Sequence, residues 1–465
     1  YFKHVFFTHT DILSGSIDKT VDNFYMDLNC LIYPCSKNKN TNEEVISNII
    51  KYIDTIINNV NPQKKVFIAI DGVCPLAKII TQKKRRLKSS YDKPVMDEMY
   101  KKFNVDIPKW DTINISPGTV FMKELSNAIY KYIETSEYII TFSDSDNYEE
   151  GEQKIIKDIR KNADTEVNCI YGLDSDLIML SLIEKSEIFL YREKIEFGSY
   201  YSVDYDSYVY LSIGTLKNSI FESINENDRF DKEKLIKDYV FISFFIGNDF
   251  IPQLPSIKIR NKGYNIIIET YKSVFLELNE YLVKDEKNGI INNRFLYDFL
   301  YKLSLIESNL LCNIHTNYVN TPSMKVNMSE RTLENEIKKN MIVNKNDVNC
   351  FINFKKNGYK KRYYKHYFDI DKDESLDEYF KELNKVCYNY FESLKWTLMY
   401  YFNEKIPSYE YYYKYNIGPF IIDIFNYLKY NKSVIDKIRF NKGIHLTPQQ
   451  HLALILPKDK LYLIE

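Results

Sequence analysis

The stretch that most constrains this chain is residues 168–182, NCIYGLDSDLIMLSL. A short β-prone run, Val167, Cys169, Ile170 and Tyr171, reaches Gly172 and then Asp174 and Asp176, after which Leu177, Ile178, Leu180 and Leu182 continue at helical spacing. A strand that ends in two carboxylates and turns into a helix is one unit of an open α/β sheet. Residues i and i+2 of an extended segment point the same way, so Asp174 and Asp176 are expected to converge beyond the sheet edge. Open α/β sheets bind their ligands there. Taken alone, the pair reads better as a helix cap beside a solvated acid. The rest of the chain changes that balance.

The same unit recurs. Residues 23–28, NFYMDL, form an expected strand that delivers Asp27 and Asn29, with Tyr33 about a turn later. Residues 42–59 then read as an amphipathic helix with Val45, Ile46, Ile49, Ile50, Ile53, Ile56 and Ile57 on its apolar face. A second strand over 65–70 ends in Asp71-Gly72, a Pro-Gly turn and helical pattern occupy 116–132, and a third strand falls at 138–142. Glu150 and Glu152 flank Gly151 ahead of a helix expected over 155–160. Two apart, they cannot share a helix face, so the turn at Gly151 has to aim both at one place; otherwise they are partners of the helix dipole. A further strand follows at 188–191. This βαβ alternation predicts a mostly parallel sheet.

Residues 238–250 are an apolar run that ends in Gly247-Asn248-Asp249, and an acid at the end of so buried a segment needs a partner or a metal. Asp27, Asp71, Glu150, Glu152, Asp174, Asp176 and Asp249 are therefore expected at the ends of successive elements of one sheet. Gathered without cations, seven carboxylates would raise one another's pKa values. Hard divalent cations resolve this: Mg²⁺ prefers carboxylate and water oxygens, and a two-ion site can both generate a hydroxide and stabilise a leaving oxygen.

The one dense basic cluster is AKIITQKKRRLKSS, residues 77–90. If helical, it sets Lys78, Gln82, Arg85 and Arg86 within an arc of about 100°. Two guanidiniums, an ammonium and an amide on one face suit a phosphate. A solvated basic helix or a nuclear-targeting tetrapeptide at 83–86 would use the same residues. Residues 262–340 read as mostly helical, 344–377 as charged loops with Tyr-rich turns, and a helical stretch then carries Trp396. Residues 408–424 are dense in aromatics, and core packing is the ordinary role for these and for Trp396.

Composition narrows the classes. The chain has 465 residues, 45% of them hydrophobic, with a net charge of −1, so nucleic-acid binding would have to come from a local patch. No apolar run approaches the 18 or so residues of a membrane span, and no secretory signal opens the sequence. Seven cysteines without CxxC spacing imply neither a disulfide framework nor a zinc site. The Asn, Lys, Ile and Tyr bias is that of AT-rich coding, as in an AT-rich cellular genome or a large DNA virus.

The stretches FYMDLNCLIYPCS, FIAIDGVCPLAKIITQKKRRLKSS, ISPGTVFMKEL, EEGEQKII, YGLDSDLIMLSL and FISFFIGNDFIPQLP together resemble the first region of the Xrn family of 5′-to-3′ exoribonucleases. GYKKRYYKHYFDID, ESLKWTLMYYF, SYEYYYKYNIGPF and LTPQQHLALILP resemble its second region and occur in the family's order. The resemblance covers nearly the whole chain. It implies an α/β fold with a mostly parallel sheet of the PIN-like, flap-nuclease type and a mainly helical second region packed on it. The expected boundaries are 1–265 for the nuclease domain, 266–345 for a helical connecting segment and 346–465 for the region walling the substrate channel.

The implied activity is processive 5′-to-3′ degradation of 5′-monophosphorylated single-stranded RNA to nucleoside 5′-monophosphates. The family's metal-binding acids match the seven above, holding two Mg²⁺ ions for which Mn²⁺ can substitute. Its phosphate pocket matches Lys78, Gln82, Arg85 and Arg86, and its base-stacking pair matches Tyr33 and Trp396. The resemblance further implies a monomer without membrane attachment, cytoplasmic with a nuclear role as the alternative, and functionally linked to a decapping enzyme. Two rivals share parts of the pattern: a structure-specific 5′ flap or DNA nuclease, and a non-catalytic RNA-binding scaffold. The chain departs from the family at Tyr33, usually His, at Glu149, usually Gly, and at Gln153, usually His. Compared with the family, the sequence opens as though a few residues inside the Met-Gly-x-Pro start, and the family's long C-terminal extensions are expected to be absent.

Overall fold

The structure, a computed structural model, describes residues 13–37, 39–105, 107, 110–172, 174–197, 201–225, 229–320, 332–333, 336–337, 351–371 and 375–464. Its contacts sort into two compact units drawn from interleaved parts of the chain. The first takes Tyr1–Pro75, Pro108–Arg229 and Ile444–Glu465, and the second takes Leu76–Ile107 and Phe230–Gly443. The blocks expected at 1–265, 266–345 and 346–465 were contiguous stretches of sequence, whereas these units follow packing.

The Val- and Ile-rich runs of the first unit become a seven-stranded sheet of order β1-β7-β6-β5-β2-β3-β4. Its strands are β1 (Leu13–Ser14), β2 (Asn23–Asp27), β3 (Lys65–Ala69), β4 (Ile140–Ser143), β5 (Val167–Tyr171), β6 (Glu187–Phe197) and β7 (Tyr201–Ser212). β4, β3, β2, β5 and β6 pair in parallel, and β7 and β1 add antiparallel at one edge. The α/β class and the mostly parallel sheet are therefore as expected. Every residue of β2 is buried, as befits a strand covered on both faces.

The chain steps from β2 to β3 to β4 in one direction, then returns to lay β5 and β6 on the other side of β2. That reversal puts a topological switch point between β2 and β5, where an open sheet leaves a crevice beyond its strand ends. The Asn42–Val60 helix forms as its spacing predicts. Thr41 caps it by accepting from the Glu44 amide, and Val45, Ile49, Ile53, Ile56 and Ile57 are buried in a cluster with Phe24, Met26, Val66 and Ile68 of the sheet. Each such branched side chain, fully buried, contributes about 1.5–3 kcal/mol.

The second unit is mainly helical, with helices Leu76–Lys102, Lys232–Ser243, Gly263–Leu278, Asn293–Asn320, Tyr359–Phe368, Leu376–Phe402 and Ile421–Tyr430. Two expectations change here. Within 262–340 a small hairpin, Val283–Asp285 against Ile290–Ile291, separates two of the helices. Residues 321–331 and several up to 340 lie outside the described residues. Within 344–377 the Tyr-rich segment is a helix rather than turns, because Tyr363 and Tyr364 are buried with their hydroxyls satisfied. Tyr363 donates to the Gly418 carbonyl at 2.6 Å and Tyr364 to Asp423 at 2.7 Å. A charged, Tyr-rich stretch expected as loops and turns thus supplies a helix with two core tyrosines. Among the described residues no helix is long and apolar enough to cross a membrane.

Candidate active site

Six of the seven expected acids belong to the sheet unit and stand at its C-terminal strand ends. Asp27 closes β2, Asp71 lies two residues past β3, Glu150 and Glu152 open the helix after β4, and Asp174 and Asp176 open the helix after β5. Asp27, Glu150 and Glu152 are buried. The helix Gly151–Ile159 starts one residue after Glu150, which sits extended at its N-cap. The Gly151 amide donates to Asp71 Oδ1 at 2.7 Å. A Cβ at Gly151 would lie 3.0 Å from Asp27 Oδ1 and 3.4 Å from Asp71 Oδ1, so a side chain there would crowd the Asp27 carboxylate and touch that of Asp71. The dipole of that terminus favours negative charge in front of it.

Asp71 is clamped by Asn29, whose side chain donates to Oδ2 at 2.9 Å and accepts from the Asp71 amide at 3.0 Å. Asp27 Oδ2 accepts from the Cys30 thiol at 3.3 Å, while Asp27 Oδ1 is buried with no hydrogen-bond partner. Burial first, and then the charges of Asp71 and Asp174, push the Asp27 carboxyl well above the usual carboxylate range. Behind Asp71 the buried Lys154 donates to the carbonyls of Ile70 at 2.7 Å and Asp144 at 2.8 Å, joining the ends of β3 and β4. Burial pulls the Lys154 ammonium down to about 8 against the raising charges of Asp71, Asp144 and Glu149.

Two expectations about the acids change. Asp174 and Asp176 do not share an extended segment: the helix Ser175–Leu182 begins between them, and Asp174 caps it by accepting from the Asp176 amide at 3.4 Å. The i, i+2 rule fails where the strand has already ended. Asp249 is not at a sheet edge either; it follows the Lys232–Ser243 helix and a short 3₁₀ turn, in the second unit. There its Oδ2 pairs with Lys78 at 2.7 Å and its Oδ1 with Arg85 at 2.8 Å, and Thr81 donates to its carbonyl at 2.8 Å. Among the described residues no three His, Cys, Asp or Glu side chains stand close enough in this conformation to enclose an ion. The carboxylates are neighbours, not a closed cage.

Lys78, Gln82, Arg85 and Arg86 all lie on the Leu76–Lys102 helix, which runs past Pro94 well beyond the expected 77–90. Lys78 is buried against Phe250 and Asp249, Arg85 is exposed, and Gln82 and Arg86 are half-buried. Tyr33 is exposed on the Asn29–Ser36 helix. Trp396 is a correction: its ring has no exposed surface, stacks on Tyr400 at 4.9 Å, meets Phe250 at 5.2 Å, and donates from Nε1 to the Ser408 carbonyl at 3.0 Å. A ring so covered offers no face to a base. Helical spacing could not separate the two roles, since a stacking ring and a core ring recur alike.

The departures also have positions. Glu149 keeps a backbone φ of 85°, the left-handed region that favours glycine, and its carboxylate pairs with Lys157. Gln153 is buried in the first turns of its helix. Cys30 and Lys154 carry site geometry that the sequence did not announce, and Asn29 and Gly151, placed from sequence at a strand end and a turn, make bonds to Asp71 that it did not. For Asn29 the signal was present, two residues after a strand-end acid; for Lys154 there was none.

Residues 3–194 match a family model described as the XRN 5′-3′ exonuclease N-terminus, and residues 229–310 and 301–464 match one described as the Xrn1 helical domain. A protein named 5′-3′ exoribonuclease 1 from Saccharomyces cerevisiae is 29% identical over 365 residues, covering 71% of this chain and 24% of its own length. The Homo sapiens protein of the same name is 26% identical over 512 residues, covering 94% of this chain and 29% of its own. The chain thus spans about a quarter of the length of these two relatives. Among solved structures, the catalytic core of Rad2 in complex with DNA substrate covers 78% of this chain and 79% of its own at 12% identity, with a TM-score of 0.32.

Proposed function

The chain belongs to the XRN 5′-3′ exonuclease family, and on that premise we propose that it is a processive 5′-to-3′ exoribonuclease acting on single-stranded RNA with a 5′ monophosphate. Its products are nucleoside 5′-monophosphates. The observation that carries this reading is Asp27 Oδ1, buried without a hydrogen-bond partner beside Asp71 at the switch point of a parallel sheet. A carboxylate oxygen left so among other carboxylates is neutralised either by a proton or by a bound cation. Carboxylate oxygens are the donors a hard divalent ion takes, so the residues fit Mg²⁺, with Mn²⁺ as a substitute.

Asp27, Asp71, Glu150, Glu152, Asp174 and Asp176 would hold the ions, two in this reading. When bound, such ions lower the pKa of water and offset charge on a leaving oxygen. The chain's own groups do the rest. Asn29 and the Gly151 amide fix the Asp71 carboxylate, and Lys154 ties the strand ends that carry the acids. Lys78, Gln82, Arg85 and Arg86 take the 5′ phosphate, Arg85 exchanging one oxygen of Asp249 for the phosphate while Asp249 keeps Lys78 in place. Tyr33 gives an exposed ring for the terminal base. A reaction that removes a cap and leaves a 5′ monophosphate would supply the substrate, which fits a decapping enzyme and a cytoplasmic setting.

The test is one RNA bearing a 5′ monophosphate, triphosphate or hydroxyl, incubated with Mg²⁺ or EDTA. Shortening of the monophosphate form alone, to mononucleotides and only with metal, is the expected result. Cleavage of flapped DNA with no cleavage of any of the three RNAs would overturn it.

A further inference from the structure

Tyr148 stands two residues before Glu150, on the loop between β4 and the Gly151–Ile159 helix, and keeps 41% of its surface exposed. Its backbone is pinned to the turn that carries Asp71. The Gly72 amide donates to the Glu149 carbonyl at 2.8 Å, and the Glu149 amide to the Val73 carbonyl at 3.0 Å. A Cβ on Gly72 would overlap the Asn147 carbonyl oxygen, so loop and turn meet backbone on backbone. The ring is backed by His445, with centroids 4.1 Å apart and planes at 53°. His445 in turn precedes a helix anchored by a capping box at Thr447 and Gln450, and Lys460 farther on pairs with Asp111 at 3.2 Å.

We infer that Tyr148, supported by His445, is an aromatic ledge on which an unpaired base of the RNA stacks beside the strand-end carboxylates. The inference rests on the exoribonuclease reading. Tyr25 and Tyr171, in neighbouring strands, are fully buried, whereas Tyr148 packs on His445 and leaves the rest of its ring open. This one is instead held out by two independent anchors, the Gly72 turn and the C-terminal segment. Asp144 and Asp146 on the same loop repel phosphate, so what the loop offers a nucleotide is a π face. Stacking of this kind accepts any base, as a sequence-independent nuclease requires. Fixing the ring from behind lowers the entropy lost when a base arrives.

The experiment uses the full chain and a 5′-monophosphorylated RNA carrying 2-aminopurine at each of its first positions in turn. Fluorescence is read in EDTA, where nothing is cut, and steady-state kinetics in Mg²⁺. Wild type quenches the probe at the terminal base, through Tyr33, and at one further position; Y148A loses only the further quench and raises KM about tenfold with kcat little changed, and Y148F restores both. Because Tyr148 is exposed, Y148A should melt with the wild type, and Y148F keeps the test valid if it does not. Wild-type degradation with an unchanged KM and quench in Y148A overturns the ledge alone. A wild type that neither binds nor degrades RNA overturns the parent reading, and the ledge with it.

Discussion

The backbone N–H of Gly151 donates to Asp71 Oδ1 at 2.7 Å, so the first residue of one helix is tied to the carboxylate beyond a neighbouring strand. A methyl group at Gly151 would crowd Asp27 Oδ1 at 3.0 Å and lie in ordinary contact with Asp71 Oδ1. Gly151→Ala should keep the fold and lower kcat by about 100-fold, since small displacements of reacting groups cost that much. Wild-type turnover in this variant would mean that the close approach has no role.

Asp27→Asn keeps the shape and removes the charge. Burial and Asp71 hold the folded pKa of Asp27 above its unfolded value of about 3.9. Without metal, its contribution to stability is therefore full below that value and lost as pH rises through the folded pKa. In EDTA the variant should melt above wild type by a margin that grows between pH 5 and pH 8. Mg²⁺ should raise the wild-type Tm more at pH 8 than at pH 5, and raise that of the variant less. Equal Mg²⁺ shifts in both proteins would count against a cation at Asp27.

Glu149 holds a φ of 85° and pairs with Lys157. Glu149→Gly and Glu149→Ala both remove the ion pair, so their difference isolates the backbone. Urea titration should find the glycine variant more stable than the alanine variant by about 1 kcal/mol. An alanine variant as stable as the glycine variant would show that the loop relaxes instead.

Asp249 neutralises the buried Lys78 and the exposed Arg85. Asp249→Asn breaks the buried pair with Lys78 and should lower stability by up to about 3 kcal/mol in denaturant titration. Arg85→Ala should cost little stability and narrow the preference for a 5′ monophosphate over a 5′ hydroxyl. If that ratio holds in Arg85→Ala, the side chain does not read the phosphate.

Trp396 is covered by Tyr400 and Phe250 and hydrogen-bonded to the Ser408 carbonyl. Trp396→Ala should destabilise the chain by about 3–5 kcal/mol, and processivity at a temperature where the variant is folded should match wild type. Shortened runs per binding event with unchanged stability would restore the ring to substrate contact.

What the sequence determined by itself is the strand–helix alternation of the parallel sheet and six of the acids beyond its strands, because both follow from local pattern. Short β-prone runs that end in an acid and alternate with helical patterns read as buried parallel strands, and β2, β3 and β5 form as read, whereas the run that ends in Asp249 is helical. The Lys78, Gln82, Arg85 and Arg86 face was legible for the same reason, since helical spacing is a property of the chain alone. What tertiary structure decided is which groups meet. Asn29 on Asp71, Lys154 under two strand ends and Asp249 on Lys78 are contacts between segments that no periodicity encodes. Burial was decided there too: Trp396 became core while Tyr148 stayed exposed, because solvent access depends on what packs over a ring, and that is set by residues far away in sequence.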